Sequence, residues 1–354
     1  MTLTNSQLGV LLAEAASRAE GQLARALRRA SRKSITWPEE AHILHFEGRS
    51  LTELDGIGPR LARMVEGLLN HPPPEVNPVN RHPFLTYSQV AETLSANPDW
   101  LSMLRGDLQM HSTYSDGYAS LEELAEAASE RGYEYIAITD HSKALKIANG
   151  MDEERLMQQM GHIDRINENL AKGGRRLRLL RSIEMNLDPE GRGDMEPEVI
   201  GSLDLVLGSF HSKLRVKTDQ TERLLAGIGN PQVHILGHPQ GRMFNSRPGL
   251  VADWDRVFAT AALLDKAVEI DAFPDRQDLD VVLLERAADH SVRISIGSDS
   301  HHPSQLWYIE FGLAAAIRAG VSPARILNFM SREELLSWSA ELKARARAPV
   351  EPAL

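Results

Sequence analysis

Five histidines in this chain directly follow an apolar, strand-like run and precede loops of Ser, Pro or Gly: His111, His141, His211, His238 and His301. The carboxylates of Asp116, Glu184 and Asp299 lie in similar positions. A single histidine is ordinarily a packed or surface residue, and His42, His45, His71, His82, His162, His234 and His290 read that way. Five at one structural position is a different matter. Neutral imidazoles with carboxylate oxygens are the donors a polynuclear divalent-metal site needs. Asp140 and Asp271 also end strand-like runs and suit a supporting role, because a carboxylate behind an imidazole fixes its tautomer. Three carboxylates carry about −3, whereas two or three divalent ions add roughly +4 to +6. The pocket would then attract a phosphate although the chain's formal net charge is −10. Ions held there would lower the pKa of a water and clamp a phosphoryl oxygen, which favours phosphoester hydrolysis, with amide or amidine hydrolysis as the competing chemistry.

Composition narrows the choice. The 354 residues include no Cys, which excludes disulfides, thiolate zinc sites and iron–sulfur clusters and leaves nitrogen and oxygen as the metal donors. No charged-then-apolar leader begins the chain, and no apolar run approaches the ~20 residues of a membrane span. A cytoplasmic monomer without membrane contact is therefore expected. Residues 1–100 carry 10 Lys/Arg against 11 Asp/Glu, so nearly all the excess acid lies later in the chain.

The elements that must position these donors alternate in type. Strands are predicted near 106–110, 134–139, 177–184, 204–209, 233–237, 266–271 and 292–297, with amphipathic helices between most of them. Seven strands interleaved with helices predict an α/β fold whose parallel barrel gathers its strand C-termini on one face. Ser120 with Glu123 forms a capping box for one of the helices, and Gly132 ends it. Four regions follow: a small all-α unit over 1–70, a Pro-rich linker over 71–103, the barrel over 104–340 and a C-terminal tail over 341–354. Within the first region, six basic residues against one acid fall between Arg18 and Lys33, either a solvated helix face or a phosphate-facing stripe. Further on, Gly56-Ile57-Gly58 separates two short amphipathic helices, with Pro59 suited to the first position of the second.

The runs Gly106–Gly117, Thr139–Ser142, Glu184–Asn186, Phe210–Ser212, Gly237–Arg242 and Ser298–His301 together resemble the polymerase-and-histidinol-phosphatase (PHP) superfamily. They are most similar to the C-terminal domain of bacterial family-X DNA polymerases, as are Ala148–Met151, Ala252–Asp255 and Pro274–Asp280. The resemblance spans about 105–335. It implies a distorted (β/α)7 barrel with a small all-α N-terminal domain and two or three Mn, Zn or Fe ions. By position, it implies one metal on Gln109, His111, Glu184 and Asp299, a second bridged by Glu184 to His211 and His238, and a third on Asp116, His141 and His301. Gln109 stands where the superfamily usually has a histidine, and its amide oxygen is the weaker donor. In the implied reaction Glu184 bridges the ions while Arg242 and Lys143 stabilise the developing phosphate charge.

The Gly56–Gly58 turn resembles the helix-hairpin-helix of DNA repair proteins, in which backbone N–H groups at a helix N-terminus accept a phosphate. Gly56, Ile57, Gly58, Arg60 and Arg63 are its candidate DNA contacts. Only about 35 residues separate this unit from the barrel, too few for a polymerase palm. The expected activity is thus a metal-dependent 3′–5′ exonuclease or a 3′-end or abasic-site processing enzyme. The alternatives are a small-molecule phosphatase of the histidinol-phosphatase type, an inactive DNA-binding partner and an amidohydrolase. The last usually bridges its metals with a modified lysine, and no Lys stands at a candidate strand end.

Overall fold

Thr4 starts the first helix, α1 (Asn5–Ser17), with a reciprocal capping box to Gln7. The helix buries Leu8, Leu12 and Ala16 against α2 (Gly21–Lys33), whose own buried stripe is Ala24, Leu27 and Ala30. Trp37, Leu44 of α3 (Ala41–Phe46), Ile57, and Leu61 and Val65 of α4 (Pro59–Asn70) complete a small helical core. The computed structural model describes residues 2–80 and 82–347. Of the region expected as a tail, residues 341–347 continue the helix Arg332–Arg347, and 348–354 lie outside the described residues.

The segment expected as a linker is bolted to the barrel. Thr86 caps α5 (Tyr87–Ala96), whose Tyr87 meets Trp307 edge-on at 4.8 Å and whose Thr93 hydroxyl accepts from Arg318 at 2.9 Å. Ahead of it, Gln277 exchanges hydrogen bonds with the Leu85 backbone at 2.8 and 2.9 Å. Glu40, buried in the helical unit, accepts from the Asn5 amide at 2.6 Å and the Thr86 hydroxyl at 2.5 Å. Ile35, Phe84, Val90 and Leu94 join the apolar core of the barrel itself. Proline-rich sequence thus produced an extended but packed strap, because its apolar side chains found a surface to cover.

All strands of the large unit run parallel. β1 (Gly106–Met110), β2 (Tyr135–Ile138) and β3 (Arg178–Arg181) form one sheet. β4 (Glu184–Asn186), β5 (Leu207–Ser209), β6 (Ile235–Gly237), β7 (Ala267–Asp271) and β8 (Arg293–Gly297) form a second, in that order. Single bridges link the sheets at both seams, His141 to Glu184 and Met110 to Ser300, giving a distorted barrel-like arrangement. The strand predicted over 177–184 is broken in two. Arg178–Arg181 follows β2, Ser182 and Ile183 leave the ladder, and Glu184–Asn186 pairs with β5. The break turns Glu184 inward between the two sheets. β2 and β6 are wholly apolar or Gly, as expected of parallel strands covered on both faces, whereas β1, β4 and β7 carry buried polar residues toward the cluster.

Candidate metal centre

Gln109 lies within β1 and Glu184 opens β4; the other expected donors sit on the loops that follow the strands. After β1, the His111 amide donates to Ser300 O at 2.9 Å, tying the two seam strands together. Asp140 does not orient an imidazole. It accepts from the Ser112 amide (2.9 Å) and hydroxyl (2.5 Å), the Ser115 amide (3.1 Å) and the Gln159 amide (2.5 Å), so it shapes the turn that presents Asp116. His238 (φ 26°) and Asp299 (φ 51°) both occupy left-handed backbone, uncommon for residues with a side chain. Such outliers concentrate at functional sites, where the surroundings hold them in place.

Glu184 is the hub. Its Oε1 lies 2.7 Å from His238 Nε2 and 3.1 Å from His211 Nε2, while Oε2 lies 3.1 Å from His141 Nδ1 and 3.6 Å from His111 Nε2. Two groups of donors form around it. His111, Asp116, His141 and His301 each offer an atom within 4.8 Å of the others, as do His141, Glu184 and His211. His111 Nε2 also sits 3.0 Å from Asp299 Oδ1. The donors crowd more closely than three sets joined at Glu184 would require, since His141 stands in both groups and His111 in the Asp116 group.

Electrostatics fit a cation. Burial lowers His111, but Asp299 and Glu184 outweigh it and raise the imidazole to about 9. Burial holds His141 down at about 4. Glu184 is desolvated, yet the charges of His141 and His211 pull it well below the usual carboxylate range. His111 Nδ1 is buried without a hydrogen-bond partner, and His141 Nδ1, although 3.1 Å from Glu184 Oε2, makes no hydrogen bond. Buried nitrogens without a partner are costly unless something accepts their lone pairs. The donor set of imidazoles and carboxylates therefore suits divalent metal ions.

Four sequence-based assignments need correction. Arg242 is buried away from this cluster: it pairs with Asp280 at 3.2 Å, stacks 3.7 Å over the Phe84 ring and donates to the carbonyls of His82 and Pro83 at 3.3 Å. The Gly-rich loop after His238 carries it backward to the strap. Lys143 spends its ammonium on Glu153 at 2.7 Å. Gln109 is fully buried, and its amide nitrogen donates to both Glu269 oxygens at 2.6 and 3.3 Å in the orientation that satisfies both groups. It stands behind the cluster, wedged against Gly297, where an added Cβ would come within 2.4 Å of Gln109 Cβ. Ile57 is a core residue at 5 % exposure, and its N–H bonds Leu54 O at 3.0 Å, so it has no free group for DNA.

The rest of the hairpin is also reduced. The helix expected before Gly56 is a single 3-10 turn, Leu51–Glu53. Gly56 is left-handed (φ 81°), Gly58 caps α4 with Pro59 at its first turn, and Arg60 and Arg63 are exposed. Sequence reasoning missed two residues near the cluster. Arg276 reaches both Asp271 Oδ2 and Asp299 Oδ2 at 3.7 Å; burial lowers its pKa, but those two carboxylates outweigh that and raise it. Buried Glu269 is pushed well above the carboxylate range by desolvation and then by Asp271. Arg276 lies inside a stretch notable for its resemblance alone, and Glu269 is hidden mid-strand, two residues before the Asp that ends it.

A parallel α/β scaffold with a His- and carboxylate-lined face is suited to metal-assisted hydrolysis. Residues 107–259 match the PHP domain model. The chain is 35 % identical over 264 residues to the DNA polymerase/3′-5′ exonuclease PolX of Bacillus subtilis (strain 168), a match covering 74 % of this chain and 45 % of that protein. It is 27 % identical over 250 residues to the probable phosphatase YcdX of Shigella dysenteriae serotype 1 (strain Sd197), covering 69 % and 96 % respectively. Histidinol phosphate phosphatase from Lactococcus lactis, solved with zinc, L-histidinol and phosphate, aligns at a TM-score of 0.44 and 18 % identity over 62 % of this chain and 94 % of that one. The chain belongs to the PHP superfamily, close to the PHP domains of family-X DNA polymerases. Members of that family are metal-dependent hydrolases, and the chain spans less than half the length of PolX. Among the described residues, no helix is long and apolar enough to cross a membrane.

Proposed function

We propose that the protein hydrolyses phosphodiesters of DNA, as a 3′–5′ exonuclease or a 3′-end or abasic-site processing enzyme in DNA repair. The observation that supports DNA over smaller esters is the match to PolX, which extends over 74 % of the chain, beyond the 107–259 domain. PolX is more than twice as long as the matched portion, and what it does as a whole protein is carried here only as a proposal.

The metal ions, Mn, Zn or Fe, would be held by Asp116, His141 and His301, by Glu184, His211 and His238, and by His111, Glu184 and Asp299, with Gln109 behind the last set. Once bound, two or three such ions supply Lewis acidity and a nucleophile at neutral pH. The chain's own groups do the rest. Glu184 stays ionised beneath its four histidines and keeps them converged. Asp140 holds the 112–116 turn so that Asp116 faces His301 and His141. Arg276, paired with Asp299 at the edge of the cluster, takes the charge-stabilising role that sequence reasoning gave to Arg242.

A second reading is favoured by a specific finding: relatives named probable phosphatases match over almost their whole length, which fits hydrolysis of a small phosphate monoester. The deciding experiment offers metal-loaded protein end-labelled single-stranded and nicked DNA alongside small phosphate esters. Shortening of the DNA from its 3′ end with a far higher kcat/KM supports the first reading; turnover of monoesters alone overturns it.

A further inference from the structure

We propose that the arginine face of α2 and the loops after β5 and β6 form one phosphate track that leads a single polynucleotide strand to the metal-ligating cluster. The proposal rests on the DNA-directed reading above and names the surface that holds the strand. Its starting point is a cavity of about 320 Å³ at the seam between the helical unit and the barrel. Arg28 and Arg32 of α2 line one side, and Phe244, Asn245 and Asp275 line the other. Arg28 and Arg32 are four residues apart, hence on one helix face. Both are exposed, and among the described residues neither forms an ion pair.

The cationic surface continues onto the barrel. Arg215, from the loop after β5, donates to Ser246 O at 2.7 Å and Ser246 Oγ at 3.2 Å, which fixes it at the rim of the cavity. Arg247 follows immediately, and its Nε is buried with no hydrogen-bond partner. Burial and then the neighbouring charges of Arg276 and Arg215 depress its pKa. Arg276 in turn reaches Asp299 of the metal-ligating cluster. The cations therefore run from α2 to the reaction centre, and the one carboxylate lining the cavity is Asp275.

Gathered guanidinium groups repel one another, and an anion that neutralises several at once removes that cost. Arg matches phosphate with a bidentate fork, and such contacts hold a backbone without reading its bases. A crevice between a helix and two loops that is lined by arginines suits the backbone of a single strand, as the charged grooves of single-strand binders do. The adjoining cavity, across Ala13 and Asn245, is lined by Glu14, which is paired with Arg18, and by Glu75, so the unpaired arginine surface does not continue there. The seam itself is held by uncharged bonds, from the Asn245 amide to Gly9 O and Ser31 Oγ at 3.2 Å, so neutralising arginines leaves the helical unit seated. Lys33 of the same helix turns the other way, onto Asp55 beside the Gly56 turn.

The test is equilibrium binding of fluorescein-labelled oligothymidylate to the full chain by anisotropy, in chelator so that nothing is hydrolysed, across a range of KCl. The triple variant Arg28→Gln/Arg32→Gln/Arg215→Gln should bind at least tenfold more weakly. Its slope of log K against log salt should be shallower by about 2, at roughly 0.7 per phosphate contact on a single strand. Far-UV circular dichroism and the melting temperature report whether the variant folds; if it does not, Arg32→Gln alone should still lower the slope by about 0.7. Full affinity and slope in a folded variant overturn the track while the DNA reading stands, and a loss confined to Arg60→Gln/Arg63→Gln assigns the strand to the Gly56 turn instead. An intact chain that turns over a small phosphate ester yet binds no oligonucleotide refutes the DNA reading itself, and the track falls with it.

Discussion

Replacing Arg242 by Met separates the two roles that sequence and structure give this residue. The guanidinium and its Asp280 partner are each 1 % exposed and 3.2 Å apart. Burial lowers Arg242 to about 10, so it remains charged at neutral pH. Removing one member of a buried pair costs about 3–5 kcal/mol, chiefly because the other charge is left behind. Here Asp280 would keep bonds from His82, Gln240 and the Leu283 amide, and Met replaces part of the packing on Phe84, which places the cost near the lower end, about 3 kcal/mol. With an unfolding entropy of about 2.1 cal/mol/K per residue, the 354-residue chain has roughly 0.7 kcal/mol/K in total, so Tm should fall by about 4 °C. Differential scanning calorimetry in chelator reads that shift, and kcat on a chromogenic phosphate ester, per folded molecule, should stay within about twofold. An unchanged Tm with turnover lost a hundredfold or more would refute the structural role and return Arg242 to the substrate.

Chelation should abolish hydrolysis and Mn²⁺ should restore it best, given all-nitrogen-and-oxygen ligation; His141→Ala, His211→Ala and Asp299→Ala should each lose nearly all turnover while folded, and activity retained in two of the three would sink the metal-cluster account. Gln109→His loses the amide bond to Glu269 behind the cluster; metal titration by calorimetry should show unchanged stoichiometry and affinity, and tighter binding of the ion held with His111 would return position 109 to the ligand set. Deleting residues 1–100 should not release a sound barrel, because Ile35, Phe84, Val90 and Leu94 belong to its core; a soluble truncated protein with an undiminished melting temperature would show those contacts to be dispensable. Arg276→Gln should cut kcat on the chromogenic ester by about 10²-fold or more with little change in metal content, as expected for one lost charge-stabilising donor, and unaltered kcat would confine Arg276 to pairing with Asp299.

What the sequence determined by itself was the set of donors and the scaffold that converges them. Strand ends are legible because apolar runs stop abruptly at polar residues, and a parallel α/β order sends every such end to one face. His111, Asp116, His141, Glu184, His211, His238, Asp299 and His301 were found that way, and the structure brings all eight together. Two kinds of decision lay beyond it. The direction of a long side chain after a turn depends on which neighbour offers a counter-charge, so Arg242 went to Asp280 and Lys143 to Glu153, while Arg276 came to Asp299. Whether a Pro-rich stretch hangs free or packs depends on apolar surface elsewhere in the chain, and here the barrel and α5 supplied it. Periodicity and spacing are local properties that a reader can count, whereas the choice of a counter-charge depends on the tertiary path of the chain, and burial of the strap is set by residues more than a hundred positions away, such as Arg242 with Pro83 and Gln277 with Leu85.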